Sequence, residues 1–250
     1  MFARPGRAAA LAALAACAAA LAMGGCRVDT GQLQDQERTY RVSPPVHTLV
    51  ISNRVGDVRV TGGAGPVSVT ERLRYRHQLP TTSHALHAGT LTLTGNCPVS
   101  QACDVEYHVR VPPATTVRIE DRVGDVRLTA LTGRVTTHTS AGGITLTSLS
   151  GPIQVSENAG SISGSGLSSA TATVNTNVGS IGLSFSAAPA TVTATTSIGS
   201  IFLRLPHGVV YTVHASATVG STHVTVPLAG SSAHRITART QTGTVTIRPS

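Results

Sequence analysis

The heptapeptide SIGSIFL at residues 197–203 is one of eight variants of a pattern that recurs through most of the chain. Each variant reads polar, apolar, glycine, small polar, and then for the most part apolar, polar, apolar. The eight segments occupy residues 54–60, 122–128, 140–146, 158–164, 177–183, 197–203, 218–224 and 241–247. The glycines that align them are Gly56, Gly124, Gly142, Gly160, Gly179, Gly199, Gly220 and Gly243. Recurrence at a nearly constant spacing, 18 to 23 residues from Gly124 onward, is typical of stacked repeat architectures.

The pattern predicts a tight corner at each glycine and a strand after it. Glycine adopts the positive φ of a tight corner, and the alternation that follows turns one face of the strand inward. A second alternating run, such as residues 190–196, lies between neighbouring glycines, so each period supplies two strands and two turns. One such unit cannot bury its apolar face, but a stack of units can. We therefore predict an all-β fold, a β-solenoid or closely related stacked β-repeat from about residue 117 to the end. A β-sandwich of hairpins at similar spacing is the alternative.

The first two aligned glycines are 68 residues apart, so the repeat is interrupted near its beginning. Residues 67–75, 90–94 and 105–111 alternate in this interval and predict a sheet or hairpin layer that caps the stack. Cys97 and Cys103 lie between the last two runs. In an exported protein, such a pair predicts a disulfide that clips the loop of a hairpin. Their spacing matches neither a redox motif nor a zinc motif.

The N-terminal residues have the order of an export signal. Arg4 and Arg7 precede an apolar segment at residues 8–23, and small residues lead to Cys26. The sequence Met23-Gly24-Gly25-Cys26 resembles the lipobox of bacterial lipoproteins. We therefore expect residues 1–25 to be a lipoprotein signal peptide, residues 26–45 a flexible tether, and residues 46–250 the β-repeat domain. Lipid on Cys26 would anchor the exported chain to the outer face of the bacterial cell membrane.

The domain at residues 46–250 resembles the bacterial putative-adhesin repeat family. The resemblance is carried by units of the types VGDVRV and VGSI, by the glycine spacing, and by the cysteine pair leading into the sequence VRVP at residues 109–112. It implies a stacked β fold at the cell surface, and it supplies no catalytic residues.

The distribution of acidic residues argues against an enzyme. Cleavage of a polysaccharide needs paired carboxylates, yet Glu157 is the only acidic residue from Val126 onward. Asp57 and Asp125 each follow an arginine by three residues, which predicts ion pairs at the corners. The histidines show no metal-ligand spacing that includes a third ligand. We expect no catalytic residue, no metal site and no cofactor.

Arg72, Arg74 and Arg76 alternate and should therefore share one side of a strand. Such a basic stripe could bind an anionic wall polymer or glycan, or it could protect an edge strand from pairing with another chain. Nucleic acid is not an expected partner, because aromatic residues make up only 3% of the chain and the arginines are scattered.

The leading hypothesis is a non-catalytic surface lipoprotein for adhesion, envelope scaffolding or ligand capture. An envelope-stress or signalling accessory that binds another membrane protein is the alternative. A polysaccharide-active enzyme ranks third.

Overall fold

The computed structural model describes residues 32–43, 45–98 and 102–250, so the predicted signal peptide and Cys26 lie outside the described residues. The described chain contains no helix that could span a bilayer. Its strands are β1 (Gln34–Val42), β2 (Thr48–Val55), β3 (Val58–Gly62), β4 (Val67–Tyr75), β5 (Thr81–His87), β6 (Thr90–Asn96), β7 (Cys103–Val111), β8 (Thr116–Val123), β9 (Val126–Thr129), β10 (Val135–Ala141), β11 (Ile144–Thr147), β12 (Ile153–Ala159), β13 (Ile162–Leu167), β14 (Thr171–Val178), β15 (Ile181–Phe185), β16 (Thr191–Ile198), β17 (Ile201–Leu205), β18 (Thr212–Val224) and β19 (Arg235–Pro249).

Pairs of strands joined at a glycine form the coils of a β-solenoid. In one coil, for example, β8 and β9 are joined at Gly124. The first strands of successive coils pair in parallel to make one sheet, the first face, which includes β2, β8, β10, β12, β14 and β16. The second strands make the second face, which includes β3, β9, β11, β13, β15 and β17. Parallel pairing between coils confirms the predicted stacked repeat and excludes a sandwich of hairpins.

The eight aligned glycines form one column along the corner of the solenoid. Gly179 has a φ of +149°, and a Cβ atom there would overlap the carbonyl oxygen of Gly160 in the coil below. At each of the other seven corner glycines, a Cβ atom would likewise overlap a backbone carbonyl of the adjacent coil. The repeat therefore requires glycine because the coils contact each other there through their backbones.

The core consists of inward side chains that stack in register from coil to coil. Ile162, Ile181 and Ile201 occupy equivalent positions on β13, β15 and β17, and all three are buried. Rows of this kind, rich in valine, isoleucine and leucine, run between the two faces. Burial of these rows is the main favourable contribution to stability.

The coils do not stack in chain order at either end. The coil of β2 and β3 lies between the coil of β6 and β7 and that of β8 and β9. At the other end, β19 spans both faces and lies between the coil of β16 and β17 and the outermost strand, β18. The inward residues Ile236, Val245 and Ile247 of β19 are larger or more apolar than their neighbours on β18, so this arrangement buries the more apolar coil.

The N-terminal cap consists of antiparallel strands, and of the three runs predicted to form it only residues 67–75 belong to it. The cap strands are β4 on β7, β1 on β4, and β5 on β6. The expected hairpin between residues 90–94 and 105–111 is wrong, because β6 and β7 pair with different faces and form one coil. Cys97 and Cys103 are joined by a disulfide that closes the corner of this coil, where the other coils have glycine. The column therefore begins before residue 117.

The prediction of a flexible tether is wrong for Gln34–Val42, which is strand β1. All nine residues of β1 pair with β4. The hydroxyl of Tyr40 donates a hydrogen bond to the Glu71 carboxylate at 2.9 Å, and both Tyr40 and Val42 pack against the core. These contacts at the end of the strand fix a segment that is otherwise polar and exposed.

Candidate anion-binding site

Two arginines near the N-terminal end of the second face are directly opposite one another. Arg59 on β3 is the register partner of Arg127 on β9. Asp57 accepts from Arg59 at 3.3 Å and from Arg127 at 3.2 Å, while Asp125 accepts from Arg127 at 2.8 Å. Corner ion pairs were predicted for both aspartates, but the partners are the arginines two residues later rather than those three residues earlier. These two like charges are therefore balanced by two carboxylates.

The predicted basic stripe is also balanced within the protein. Arg72 contacts Glu37 at 3.0 Å, on the neighbouring strand β1. Arg74 contacts Asp104 at 3.3 Å and also pairs with Glu106, both on β7. Since β4 lies between β1 and β7, it is not an edge strand.

Arg76 lies beyond the end of β4 at Tyr75 and is exposed. The structure thus brings Arg72 and Arg74 together among acidic neighbours and leaves Arg76 outside the strand. The ion pairs account for the first two arginines without a ligand.

The C-terminal half of the solenoid has a different charge balance. Glu157 is the only acidic residue from Val126 onward, and it is 3% exposed. Arginines recur in the same region and are solvent-exposed on both faces, for example Arg204, Arg239 and Arg248. The exposed surface of this half therefore carries positive side chains with no acidic side chain to balance them.

Two of these arginines form a second like-charge pair. Arg204 on β17 is the register partner of Arg248 on β19, so they are directly opposite one another on the second face. The guanidinium carbon of Arg204 lies 5.2 Å from the centroid of the Phe202 ring, and that of Arg248 lies 4.6 Å from it. We call Phe202, Arg204 and Arg248 the arginine clamp. Like charges opposed on neighbouring strands destabilise a sheet, and here an aromatic ring takes the place of the carboxylates found at Arg59 and Arg127.

A shallow hollow of about 280 Å³ adjoins the clamp. Gly182 is the register partner of Phe202, and a Cβ atom on Gly182 would meet nothing within 4 Å. The hollow therefore exists because this outward position lacks a side chain. Its lining comprises Gly164, Ser165, Gly182, Leu183, Ser184, Phe202 and Arg204.

The chemistry of the clamp is that of anion recognition. Each guanidinium can donate two parallel hydrogen bonds to a carboxylate or phosphate. The ring holds both guanidiniums near one position, which lowers the conformational entropy lost on binding. Serine hydroxyls and the ring edge beside the hollow suit the hydroxyls and C–H groups of a sugar. The described residues contain no cluster of three or more potential metal ligands.

The sequence contains an indication of this site outside the heptapeptide pattern. Arg204 and Arg248 are far apart in the chain, but each lies five residues after a corner glycine. They therefore have the same phase in the repeat. Their direct contact depends on β19 pairing with β17, which the order of the chain does not indicate.

The fold defines a class of protein: a capped, single-column β-solenoid. The family model described as Toastrack DUF4097 matches residues 43–248, so the chain belongs to the Toastrack family. This confirms the family resemblance inferred from the glycine repeats. No curated protein matches the sequence.

Several solved structures are similar to this chain. A "putative adhesin" from Bacteroides fragilis is 14% identical with a TM-score of 0.43, covering 87% of this chain and 97% of its own. A "putative cell adhesion protein" from Clostridium sporogenes is 10% identical with a TM-score of 0.38, covering 87% and 100%. A "putative lipid binding protein" from Parabacteroides distasonis is 10% identical with a TM-score of 0.37, covering 86% and 96%.

Proposed function

We propose that this protein is an exported, lipid-anchored, non-catalytic surface protein that captures an anionic glycan of the cell envelope at the arginine clamp. The observation that carries the proposal is the contrast between two arginine pairs. Arg59 and Arg127 are balanced by aspartates, whereas Arg204 and Arg248 are opposed in the same way with no acidic side chain of the described residues paired to them. A carboxylated or phosphorylated sugar would supply the missing negative charge.

The energetics favour weak binding at one clamp and stronger binding to a polymer. Charge-assisted hydrogen bonds contribute about 1.5–3 kcal/mol each, and each cation–π contact at an exposed site contributes about 0.5–1 kcal/mol. Part of the binding energy comes from relief of the repulsion between Arg204 and Arg248. Because a polymer repeats its anionic groups, copies of the protein held on one surface can engage it together, which raises the avidity.

The clamp lies far along the solenoid from the N-terminal strand. If the N-terminus is anchored to a membrane, this position favours a ligand at a distance from that membrane. Strand β1 lies at one end of the second face, and β17 is eight strand spacings along it. At about 4.8 Å per spacing, the clamp is about 40 Å from β1. A chain tethered through its N-terminus can therefore present the clamp to a wall or capsule polymer.

The binding of polygalacturonate, a carboxylated glycan, tests the proposal. We expect the protein to bind it, and we expect Arg204→Gln/Arg248→Gln to weaken binding at least tenfold, about 1.4 kcal/mol or more, since two charge-assisted contacts are lost. Added salt should weaken binding by the wild type. Poly(glycerol phosphate) tests phosphate as the anion, and dextran serves as the neutral polymer. Biolayer interferometry on immobilised protein is a suitable measurement.

The control variant is Arg235→Gln/Arg239→Gln, which removes the same net charge from exposed positions on the first face. It should retain nearly all of the binding. Equal weakening by the two double variants would show a diffuse effect of net charge and would contradict a site at the clamp. Absence of binding to both anionic polymers would reject the proposed function.

A second candidate function, an accessory that binds another membrane protein, is favoured by one surface feature. The residue before each corner glycine points outward, and four of these are large apolar side chains that are each at least 50% exposed: Val123, Val178, Ile198 and Val219. Val178 and Ile198 are direct neighbours, whereas two alanines separate Val123 from Val178 and Thr242 separates Ile198 from Val219. Exposed apolar side chains that lie next to one another are available for a protein contact. A photo-crosslinking residue at Ile198 in intact cells should then yield a discrete adduct with a membrane protein, whereas the same probe at Thr193 on the first face should not.

A further inference from the structure

The two ends of the solenoid differ in how their terminal strands are covered. At the N-terminal end, β1 and β5 cover the column. The rings of Tyr40 and His84 stack with their centroids 4.4 Å apart, and Tyr40 and Thr82 both donate hydrogen bonds to the Glu71 carboxylate at 2.9 Å. These contacts link the two faces across the end of the core.

At the C-terminal end, no described strand lies outside β18. The inward residues of β18 lie in register on buried residues of β19, yet they are themselves partly or fully exposed. On β18 they are Val213, Ala215, Ala217, Thr222 and Val224, stacked on Ile236, Ala238, Thr240, Val245 and Ile247 of β19. The cross-section of the core is therefore open to solvent at β18.

The outer edge of β18 also lacks the usual protection of an edge strand. In the described part of the chain, β19 is the only strand that pairs with β18. Its 13 residues include no lysine, arginine, aspartate, glutamate or proline. Natural edge strands are commonly blunted by charges, proline or bulges. By contrast, β1 at the opposite end carries Asp35, Glu37 and two arginines.

We propose that β18 pairs with β18 of a second copy, so that two solenoids join at their C-terminal ends. A two-fold axis brings β18 of each copy together in antiparallel pairing. The unpaired edge of one copy then pairs with the same edge of the other, and the exposed ends of the two cores face each other. The chain has a net charge of +8, and a terminal strand without lysine, arginine or acidic residues reduces the repulsion between two copies at this edge. Since the other end is capped and charged, the assembly closes as a dimer and does not extend into a filament.

The contact area sets the expected strength. The part of β18 on the first face, residues 212–219, spans about 26 Å, and two sheets about 10 Å apart with their side chains give a depth of about 20 Å. About 500 Å² would be buried on each copy, or about 1,000 Å² in total, at the lower limit for a specific interface. The dimer should therefore form reversibly, with a Kd in the micromolar range.

Two variants block the interface by different means. Thr212 N–H donates to the His234 carbonyl on the side of β19, so the alternation of a strand turns the N–H of Ala215 outward. Ala215→Pro removes that outward donor at a position where an edge strand tolerates proline. Thr222→Arg places like charges at the shared end. Thr195→Arg, on the outward side of the first face, is the matched control, and thermal unfolding checks that each variant is folded.

Sedimentation velocity of the full chain in density-matched non-ionic detergent, from about 5 to 500 µM, tests the proposal. We expect the wild type and Thr195→Arg to convert from monomer to dimer over this range, and the folded variants Ala215→Pro and Thr222→Arg to remain monomeric. A wild type that is monomeric throughout, a Thr222→Arg variant that dimerises like the wild type, or species that grow beyond dimers would each overturn the proposal. None of these results depends on the arginine clamp.

Discussion

Raising the pH from about 4 to about 7 is expected to destabilise the folded protein by on the order of 3 kcal/mol for each of two buried carboxyls, Asp121 and Glu157. Both point into the core beside the glycine corner, and they are 2% and 3% exposed. Within the described residues, neither accepts a hydrogen bond of normal geometry, and the nearest donors to Asp121 are the Arg122 amide and the Asn53 side chain. They are thus poorly placed to carry negative charge.

The neighbouring coils show what this position normally does. The register partners along the column include Thr176, Thr196 and Thr240, whose hydroxyls donate to the corner carbonyls of Gly160, Gly179 and Gly199 at 3.3, 2.9 and 2.9 Å. A carboxylate at the same position has no proton to donate. A protonated carboxyl does, so the column favours the neutral acid.

The direction of the pH effect follows from the pKa values. Burial raises the pKa of Asp121 from 3.8 to about 7, with a further increase from Asp57 and partial offsets from the Arg122 backbone amide and the Asn53 side chain. Burial also raises the pKa of Glu157 from 4.5 to about 7, helped by Asp125. Because both pKa values are higher in the folded protein than in the unfolded chain, their contribution is fully present below about pH 4. This contribution to stability is lost progressively as the pH rises through the folded pKa of about 7, and the stability no longer changes once both carboxyls are ionised.

Two substitutions copied from neighbouring coils should remove this dependence. Asp121→Asn reproduces Asn53, the register partner on β2, whose side-chain amide donates to the Val105 carbonyl at 3.0 Å. Glu157→Thr reproduces the threonines of the column. Denaturant unfolding at about pH 4 and about pH 8 should show the double variant to be several kcal/mol more stable than the wild type at the higher pH only.

Comparison with the wild type isolates these two groups, because Asp104 and His108 also have shifted pKa values and remain in both proteins. If the wild type and the double variant lost equal stability between these pH values, the two carboxyls would not be the cause.

Replacing Gly179 with alanine is expected to cost at least about 3 kcal/mol of folding free energy. The φ of +149° is strained for any other residue, which costs about 1–3 kcal/mol, and the new Cβ would overlap the Gly160 carbonyl oxygen, so the coils would have to separate. Gly182→Ala is the matched control, since its Cβ meets open space three residues away. The control should be neutral or slightly stabilising, because alanine restricts the unfolded chain more than glycine does. Thermal unfolding of both variants measures the difference, and similar melting temperatures would contradict a backbone contact at the corner.

The local rules of the sequence predicted the interior of the solenoid well. Glycine at the corner and the alternation after it determine a coil, and each coil needs neighbours to cover its apolar side. The ends could not be predicted in this way. The position of β19 inside β18 depends on a comparison of inward residues such as Ile236 and Val213, which the repeat pattern treats as equivalent. Strand β1 escaped detection because only Tyr40 and Val42 pack against the core.

The site was less predictable than the fold. Alternation correctly placed Arg72 and Arg74 on one strand, but it could not show that β1 and β7 bring acidic residues to both sides of that strand. The clamp requires two strands that are distant in the chain to be adjacent in space. Asp121 and Glu157 share a repeat phase with the threonines, and the inward alternation of β8 and β12 continues through them. The sequence pattern treated only apolar residues as inward, so it did not identify these two carboxyls as buried.

The unusual order of the end coils determines how the length of this rod can change. Only the coils from Gly124 to Gly199 follow one another in space as they do in the chain. Duplication of a unit within that interval would lengthen the rod by about 4.8 Å and leave both ends intact. A unit added after β19 could not pair with β19 itself, because β17 and β18 already occupy both sides of that strand; it would have to pass β18 to reach an unpaired edge. The length of the solenoid is therefore more easily changed by units in its middle than by units at its ends.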